Sequence, residues 1–281
     1  MNSYSPKIYE LNGNVYIEGV KNFNLEETLD CGQAFRWKPY NSNTWVGIAL
    51  GRKLYISLID GVIVLHNCSL AEYKNKWHDY FDIDRDYGKI IEILSENQVL
   101  KTAASLNSGI RILKQDTWET LCSFIISQNN NIPRIKGIIE RLCEKFGDQL
   151  SDGGYTFPSA EKIAKLTPDE LCDIRCGFRA RYIIDGAKKY INKEIDLSII
   201  ASADIDTARA ELMKITGVGV KVADCTLLFG FGRIDALPKD VWIKRAINEY
   251  FDGEFPAFAK DYAGIAQQYL FNYIRQQGTN K

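Results

Sequence analysis

Lys221 is the side chain with the most chemical promise, because of what surrounds it. Thr216-Gly-Val-Gly-Val-Lys221 lies between two stretches that read as helix, one ending near Lys214 and one starting near Val220. Gly217 and Gly219 let the main chain turn sharply and approach a ligand closely. The second helix then offers free N–H groups and the positive end of its dipole, which suit a phosphate. Residues 207–230 are thus a candidate helix-hairpin-helix, a unit that grips nucleic-acid backbone without many basic side chains. Lys221 falls in the first turn of the second helix, where the dipole works against an ammonium charge. A neutral amine there can attack a sugar C1′ and form a Schiff base. Taken singly, the same lysine reads more simply as a surface cation near a helix start.

Asp240 follows nineteen residues later, in Leu237-Pro-Lys-Asp240. It is a natural N-cap for a helix beginning at Val241. A carboxylate held there could also stabilise the oxocarbenium-like sugar that forms as a glycosidic bond breaks. For Asp240 alone, capping is the simpler role.

These residues need elements to hold them. Ala34–Lys38, Trp45–Leu50, Leu54–Leu58 and Val62–His66 are short runs rich in aromatic and β-branched residues. Asn41-Ser-Asn43, Gly51-Arg-Lys53 and Asp60-Gly61 separate them, and the last is a hairpin signal. An antiparallel meander is expected over residues 1–105. Beyond it the periodicity changes. Ile135, Ile138, Ile139, Leu142, Cys143 and Phe146 form a helical stripe, with Pro133 near its start and Gly147 just past its end. Thr167-Pro-Asp-Glu170 reads as a capping box opening another helix. Ile243, Ala246, Ile247, Tyr250 and Phe251 give a further stripe. The expectation is an α+β protein with a mostly helical domain over residues 106–281.

Composition narrows the class without choosing it. The chain has 281 residues, 46% hydrophobic and 25% charged, with no basic run and apolar stretch at Met1–Glu10 and no membrane-length apolar run,. No membrane association is expected. Seven cysteines without a framework suit free thiols in a reducing compartment,. The net charge is −1, and residues 106–281 carry 24 basic against 23 acidic side chains. Nucleic-acid binding would therefore need a local patch and main-chain N–H groups. His66 and His78 are the only histidines. No metal-ligand spacing is visible, so metal hydrolysis is disfavoured.

Taken together, Gly217-Val-Gly-Val-Lys221 and Leu237-Pro-Lys-Asp240 resemble the helix-hairpin-helix DNA glycosylases. Four further segments extend the match in order along nearly the whole chain: Cys31-Gly-Gln-Ala-Phe-Arg-Trp37, Ser127-Gln-Asn-Asn-Asn-Ile-Pro-Arg134, Gly177-Phe-Arg-Ala-Arg-Tyr182 and Gly264-Ile-Ala-Gln-Gln-Tyr-Leu-Phe271. On these the chain resembles a bacterial member of the 8-oxoguanine DNA glycosylases. That resemblance implies a TATA-binding-protein-like β domain and base excision by Lys221, assisted by Asp240, followed by β-elimination. The implied partner is double-stranded DNA containing 8-oxoguanine, acted on by a monomer in a bacterial nucleoid or a nucleus. No cofactor is implied, although a structural cation at the hairpin carbonyls is.

The resemblance also assigns a pocket. Gly32 would accept the N7–H of 8-oxoguanine through its carbonyl, and Gln267 would read the Watson–Crick edge. Phe271 and Cys225 would cover the two faces of the base. Read alone, Gly32 is a turn glycine, and Phe271 and Cys225 are core residues. Asn129 would fill the gap left by the flipped base, and Arg134 and Arg179 would donate to the orphaned cytosine. Phe178 stands where eukaryotic members carry Tyr. Trp242 stands where they carry a phosphate-contacting His, and tryptophan offers one donor and no charge. Rival readings are a helix-hairpin-helix glycosylase for another damaged base and a non-catalytic DNA-binding module. The endonuclease III type carries four C-terminal cysteines for an iron–sulfur cluster, whereas the last cysteine here is Cys225,.

Overall fold

The computed structural model describes residues 4–279. The chain forms two compact units. One comprises residues 1–46, 54–114 and 237–281, and the other residues 47–53 and 115–236. The expected boundary at 105/106 marks the change in periodicity, but Leu237 and everything after it fall in the unit that also holds residues 54–114. The reason lies in the apolar faces. Ile243, Ala246, Ile247 and Leu270 form one buried cluster, with Val99, Leu237, Tyr250, Phe251 and Phe271 packed against it. Periodicity reveals that a helix has an apolar face, not which core that face joins.

The sheet has six strands in the order β1-β2-β6-β5-β4-β3. The strands are β1 Lys7–Leu11, β2 Asn14–Glu18, β3 Trp37–Asn41, β4 Thr44–Ala49, β5 Arg52–Ile59 and β6 Val62–His66. The last matches the expected run, and β4 and β5 overlap theirs. β3 begins three residues later than expected. β1 and β2 were not expected from the sequence pattern, although Asn12-Gly13 joins them with Leu11 opposite Asn14. Val15 and Ile17 of β2 lie opposite Leu65 and Ile63 of β6, and all four are buried. Behind them Trp37, Trp77, Tyr80 and Phe81 are buried together, with Trp37 Nε1 donating to Tyr80 Oη at 2.8 Å.

In the second unit, the helices Thr117–Ser127 and Val220–Gly230 are buried along almost their entire length. A helix apolar all round belongs in a core. Their Phe124 and Phe229 rings stack at 5.3 Å. A Cβ on Gly230 would lie 3.3 Å from Thr117 Cα and Thr120 Cβ, so the glycine allows the close approach. The stripe from Ile135 lies on the helix Ile132–Phe146, with Asn131 as N-cap and Pro133 in its first turn. Thr167–Glu170 opens only a short 3₁₀ helix, Asp169–Ile174. The Glu170 carboxylate accepts from both the main-chain N and the hydroxyl of Thr167, so half of the capping box forms. No helix among the described residues is long and apolar enough to cross a membrane.

Candidate functional site

The hairpin joins the helix Ile205–Leu212 to the helix Val220–Gly230. Gly217 has φ +79°, and a Cβ there would lie 2.2 Å from the Tyr182 ring. Conformation and space therefore both demand glycine. Gly219 is different. It is the N-cap of the second helix in extended conformation, and a Cβ there would meet nothing within 4 Å. The protein's own packing gives no reason for this glycine. No side chain caps the helix it precedes, so the first-turn N–H groups remain available to an outside acceptor.

The turn is held from behind by residues that sequence reasoning missed. The Asp185 carboxylate accepts from Thr216 N at 2.7 Å and from Lys189 Nζ at 3.0 Å. Lys189 Nζ also donates to Lys214 O at 2.6 Å. Burial works against the Asp185 charge, but the Thr216 N–H and the Lys189 ammonium outweigh it and hold the carboxyl below its usual value. Arg209 Nε donates to the buried Asp224 at 2.9 Å, tying the two hairpin helices together. Apart from the i,i+4 pair Asp185–Lys189, these partners lie 15 to 31 residues apart, beyond the reach of spacing rules.

Lys221 is the second residue of the helix Val220–Gly230 and is half-buried. Its Nζ lies 5.0 Å from the Phe124 ring centroid, a cation–π distance,. It forms no ion pair or hydrogen bond among the described residues. Cys225 follows one turn later on the same helical face and is buried,.

Asn129, Arg134, Phe178 and Arg179 come together in the same unit. The three consecutive asparagines do three different jobs. Asn129 holds a left-handed conformation at φ +48°. Asn130 Nδ2 closes the end of the preceding helix on Ile126 O at 3.2 Å. Asn131 Oδ1 accepts from Arg134 N at 3.0 Å, starting the next helix. The two arginines are not equivalent. The Arg134 guanidinium is exposed and makes no hydrogen bond among the described residues. Arg179 is buried and spends its donors on main-chain carbonyls. Nε donates to Gln128 O at 2.9 Å, Nη1 to Cys176 O at 3.1 Å, and Nη2 to Gln128 O and to Asn129 O. At most one of its five N–H groups is left for a base, so Arg179 chiefly clamps the loop that carries Asn129. Phe178 is 53% exposed, with the Arg179 guanidinium 4.5 Å from its ring and Tyr182 edge-on at 5.7 Å.

The remaining site residues lie in the first unit. Gly32 has φ +88°, a value only glycine takes readily,. The next residue, Gln33, was overlooked in the sequence and is fully buried. Its Nε2 donates to Thr28 O and Arg111 O, both at 2.8 Å, and its Oε1 accepts from Leu113 N at 2.9 Å. That anchor fixes the Gly32 turn. Gln267 is buried on the helix Ala263–Thr279, and its Oε1 accepts from Gln268 Nε2. Phe271 is half-buried against the Ile243 cluster.

Asp240 caps the helix Val241–Tyr250, accepting from Ile243 N at 2.8 Å. Trp242 is 52% exposed, with the Arg245 guanidinium 5.7 Å from its ring. Lys239, Lys244 and Arg245 are exposed and form no ion pair among the described residues. Three unpaired cations and an exposed indole make this first turn locally basic, which the overall charge conceals.

Comparison with known proteins agrees over most of the chain. Residues 15–121 match the N-terminal domain of 8-oxoguanine DNA glycosylase, and residues 122–254 match the HhH-GPD superfamily of base excision DNA repair proteins. The N-glycosylase/DNA lyase of Saccharomyces cerevisiae is 31% identical over 252 residues, covering 79% of this chain and 66% of that protein. The 8-oxoguanine glycosylase/lyase of Clostridium acetobutylicum, in complex with double-stranded DNA containing cytosine opposite 8-oxoG, superposes with a TM-score of 0.90 at 37% identity. That match covers 98% of this chain and 99% of that one, and the apo-form of the same enzyme gives 0.89. On these matches the chain belongs to the 8-oxoguanine DNA glycosylase family of the helix-hairpin-helix superfamily.

Proposed function

We propose that the protein is a bifunctional DNA glycosylase and AP lyase that excises 8-oxoguanine from duplex DNA in base excision repair. One observation carries the reading. Lys221 stands in the uncapped first turn of a buried helix, directly after the Gly217–Gly219 turn, without an ion-pair partner among the described residues. The main-chain N–H groups grip phosphate, and the amine is left for chemistry.

The target nucleotide leaves the stack at a cost of a few kcal/mol. The Gly32 carbonyl accepts N7–H of the oxidised base. Normal guanine has a lone pair at N7, a mismatch worth about 1–3 kcal/mol. Gln267 reads the Watson–Crick edge, and Phe271 and Cys225 cover the faces. Lys221 Nζ bonds to C1′ as the bond from C1′ to N9 breaks, and the Asp240 carboxylate stabilises the positive charge on the sugar. Opening of the sugar ring gives an iminium. Loss of a C2′ proton then expels the 3′ phosphate. Opposite the lesion, Asn129 fills the gap and Phe178 wedges beside it. Arg134 supplies the free guanidinium for cytosine, while Arg179 holds the loop.

The carbonyls of Thr216, Gly217 and Val218 accept no N–H among the described residues. They would hold a structural cation, and no chemical step passes through it. The site of action is wherever the DNA lies, nucleoid or nucleus.

The test is borohydride trapping on a duplex with 8-oxoguanine opposite cytosine. A covalent adduct forms with the native protein and is lost in Lys221→Gln, which still binds the lesion DNA. No adduct and no base release from the native protein would discard the reading. Comparable excision opposite all four bases would remove only the preference for cytosine.

A further inference from the structure

Gln267 has a neighbour for which the reaction described so far has no use. Gln268 lies next to it on the helix Ala263–Thr279, and each is only 4% exposed. Gln268 Nε2 donates to Gln267 Oε1 at 2.8 Å. Gln267 Nε2 has no hydrogen-bond partner among the described residues, yet it is not sealed from solvent. Gln268 Oε1, by contrast, is sealed and unmet.

A primary amide has two ends of opposite character, an oxygen with two lone pairs and a nitrogen with two N–H donors. A donor tied to the oxygen end decides which end faces which way. The reverse arrangement has Gln267 Nε2 donating to Gln268 Oε1. It would bury the Gln268 NH₂ group with no acceptor, in place of one unmet carbonyl. Buried carbonyls tolerate a missing partner better than buried N–H groups do. The observed direction is therefore the favoured one, and the orphaned Gln268 oxygen is its residual cost.

We propose that Gln268 is a positioning residue that fixes the direction of the Gln267 amide, and through it the hydrogen-bonding edge the base pocket accepts. The proposal rests on the reading above in which Gln267 faces the Watson–Crick edge. 8-Oxoguanine presents an acceptor at O6 and a donor at N1–H. The fixed amide answers with the Nε2 donor and the second lone pair of Oε1. 8-Oxoadenine presents the reverse, a donor at its 6-amino group and an acceptor at N1. An amide free to turn over would serve either base; a tethered one opposes donor to donor on the adenine edge.

The test compares single-turnover excision of 8-oxoguanine and 8-oxoadenine, each opposite cytosine, in full-length protein. Gln268→Glu offers only acceptors at neutral pH, so it draws Gln267 Nε2 toward itself and reverses the amide. The ratio of guanine to adenine excision should fall by about 10-fold or more. Gln268→Leu removes the tether without reversing it and should lower the ratio by about 3-fold to 10-fold. Thermal unfolding establishes that each variant is folded. Should the buried carboxylate unfold the protein, the apolar Gln268→Leu decides. A uniform loss on both bases, or no change in ratio in a folded variant, overturns the proposal. Gln267→Ala separates it from its foundation. Undiminished 8-oxoguanine excision in that variant overturns the edge reading itself. A loss there, with a constant ratio in the Gln268 variants, overturns the positioning role alone.

Discussion

The helices beginning at Val220 and at Val241 meet the same problem in opposite ways. Each has first-turn N–H groups with no partner inside the helix. At Val241 the protein answers it internally, because Asp240 accepts from Ile243 N. At Val220 the position before the helix is Gly219, which has no side chain to offer and open space around it. The capped end fixes a carboxylate and keeps its N–H group occupied. The uncapped end keeps its N–H groups for a ligand. Beside that capped turn the exposed Trp242, Lys239, Lys244 and Arg245 are the side chains that DNA would meet under the proposed function. A chain of net charge −1 can thus hold DNA with main-chain groups at one place and a small cationic patch at another,.

Asp240 offers the largest effect with which to break this contrast. Asparagine caps a helix about as well as aspartate. Asp240→Asn should leave thermal unfolding nearly unchanged while excision falls by about 100-fold or more. Asp240→Ala should lose the cap as well, costing about 1 kcal/mol. Undiminished excision by Asp240→Asn would mean that the carboxylate serves only as a cap.

The two hairpin glycines should separate fold from ligand. Gly217→Ala forces a Cβ against Tyr182 at a positive φ and should cost about 2–4 kcal/mol of stability, read by denaturant unfolding. Gly219→Ala meets no atom and should cost less than about 1 kcal/mol, while DNA affinity drops. A Gly219→Ala protein that binds DNA at full strength would show that the space beside Gly219 is not used.

Asp185 sets a smaller effect with a pH signature. Its folded pKa lies below the ordinary value, so its contribution is present above that ordinary value, near pH 4. It fades as pH falls through the folded value,. Asp185→Ala should lose about 1–2 kcal/mol at neutral pH, and the gap from the native protein should close in acid. A gap independent of pH would exclude the charge as its origin. The smallest effect is at Arg245. Replacing it with alanine should weaken DNA binding evenly across sequences and reduce the salt slope by about 1. An unchanged slope would remove Arg245 from the DNA-binding face.

Local rules and tertiary structure divided the determination of this protein by the distance over which each force acts. Asp60-Gly61 forms its turn, Asn131 and Asp240 cap their helices, and the stripe from Ile135 lies on one face of a helix, because each depends on neighbours within about four residues. The hairpin Lys7–Leu11 to Asn14–Glu18 was equally local, and its Asn12-Gly13 signal was open to the same rule,. The order of the family's motifs likewise singled out Lys221, Asp240 and the pocket segments as candidates without coordinates. The resemblance makes Arg179 a base donor, yet its guanidinium bonds to the carbonyls of Gln128 and Asn129, about 50 residues away, and to that of nearby Cys176. Gln33 bridges to main chain 78 and 80 residues distant. Residues 237–281 join the unit of residues 54–114 through a shared apolar cluster. Burial and hydrogen bonding between remote segments are settled only when the chain closes on itself. The sequence therefore determined which residues could do chemistry, and the tertiary structure decided which of them are left free to do it.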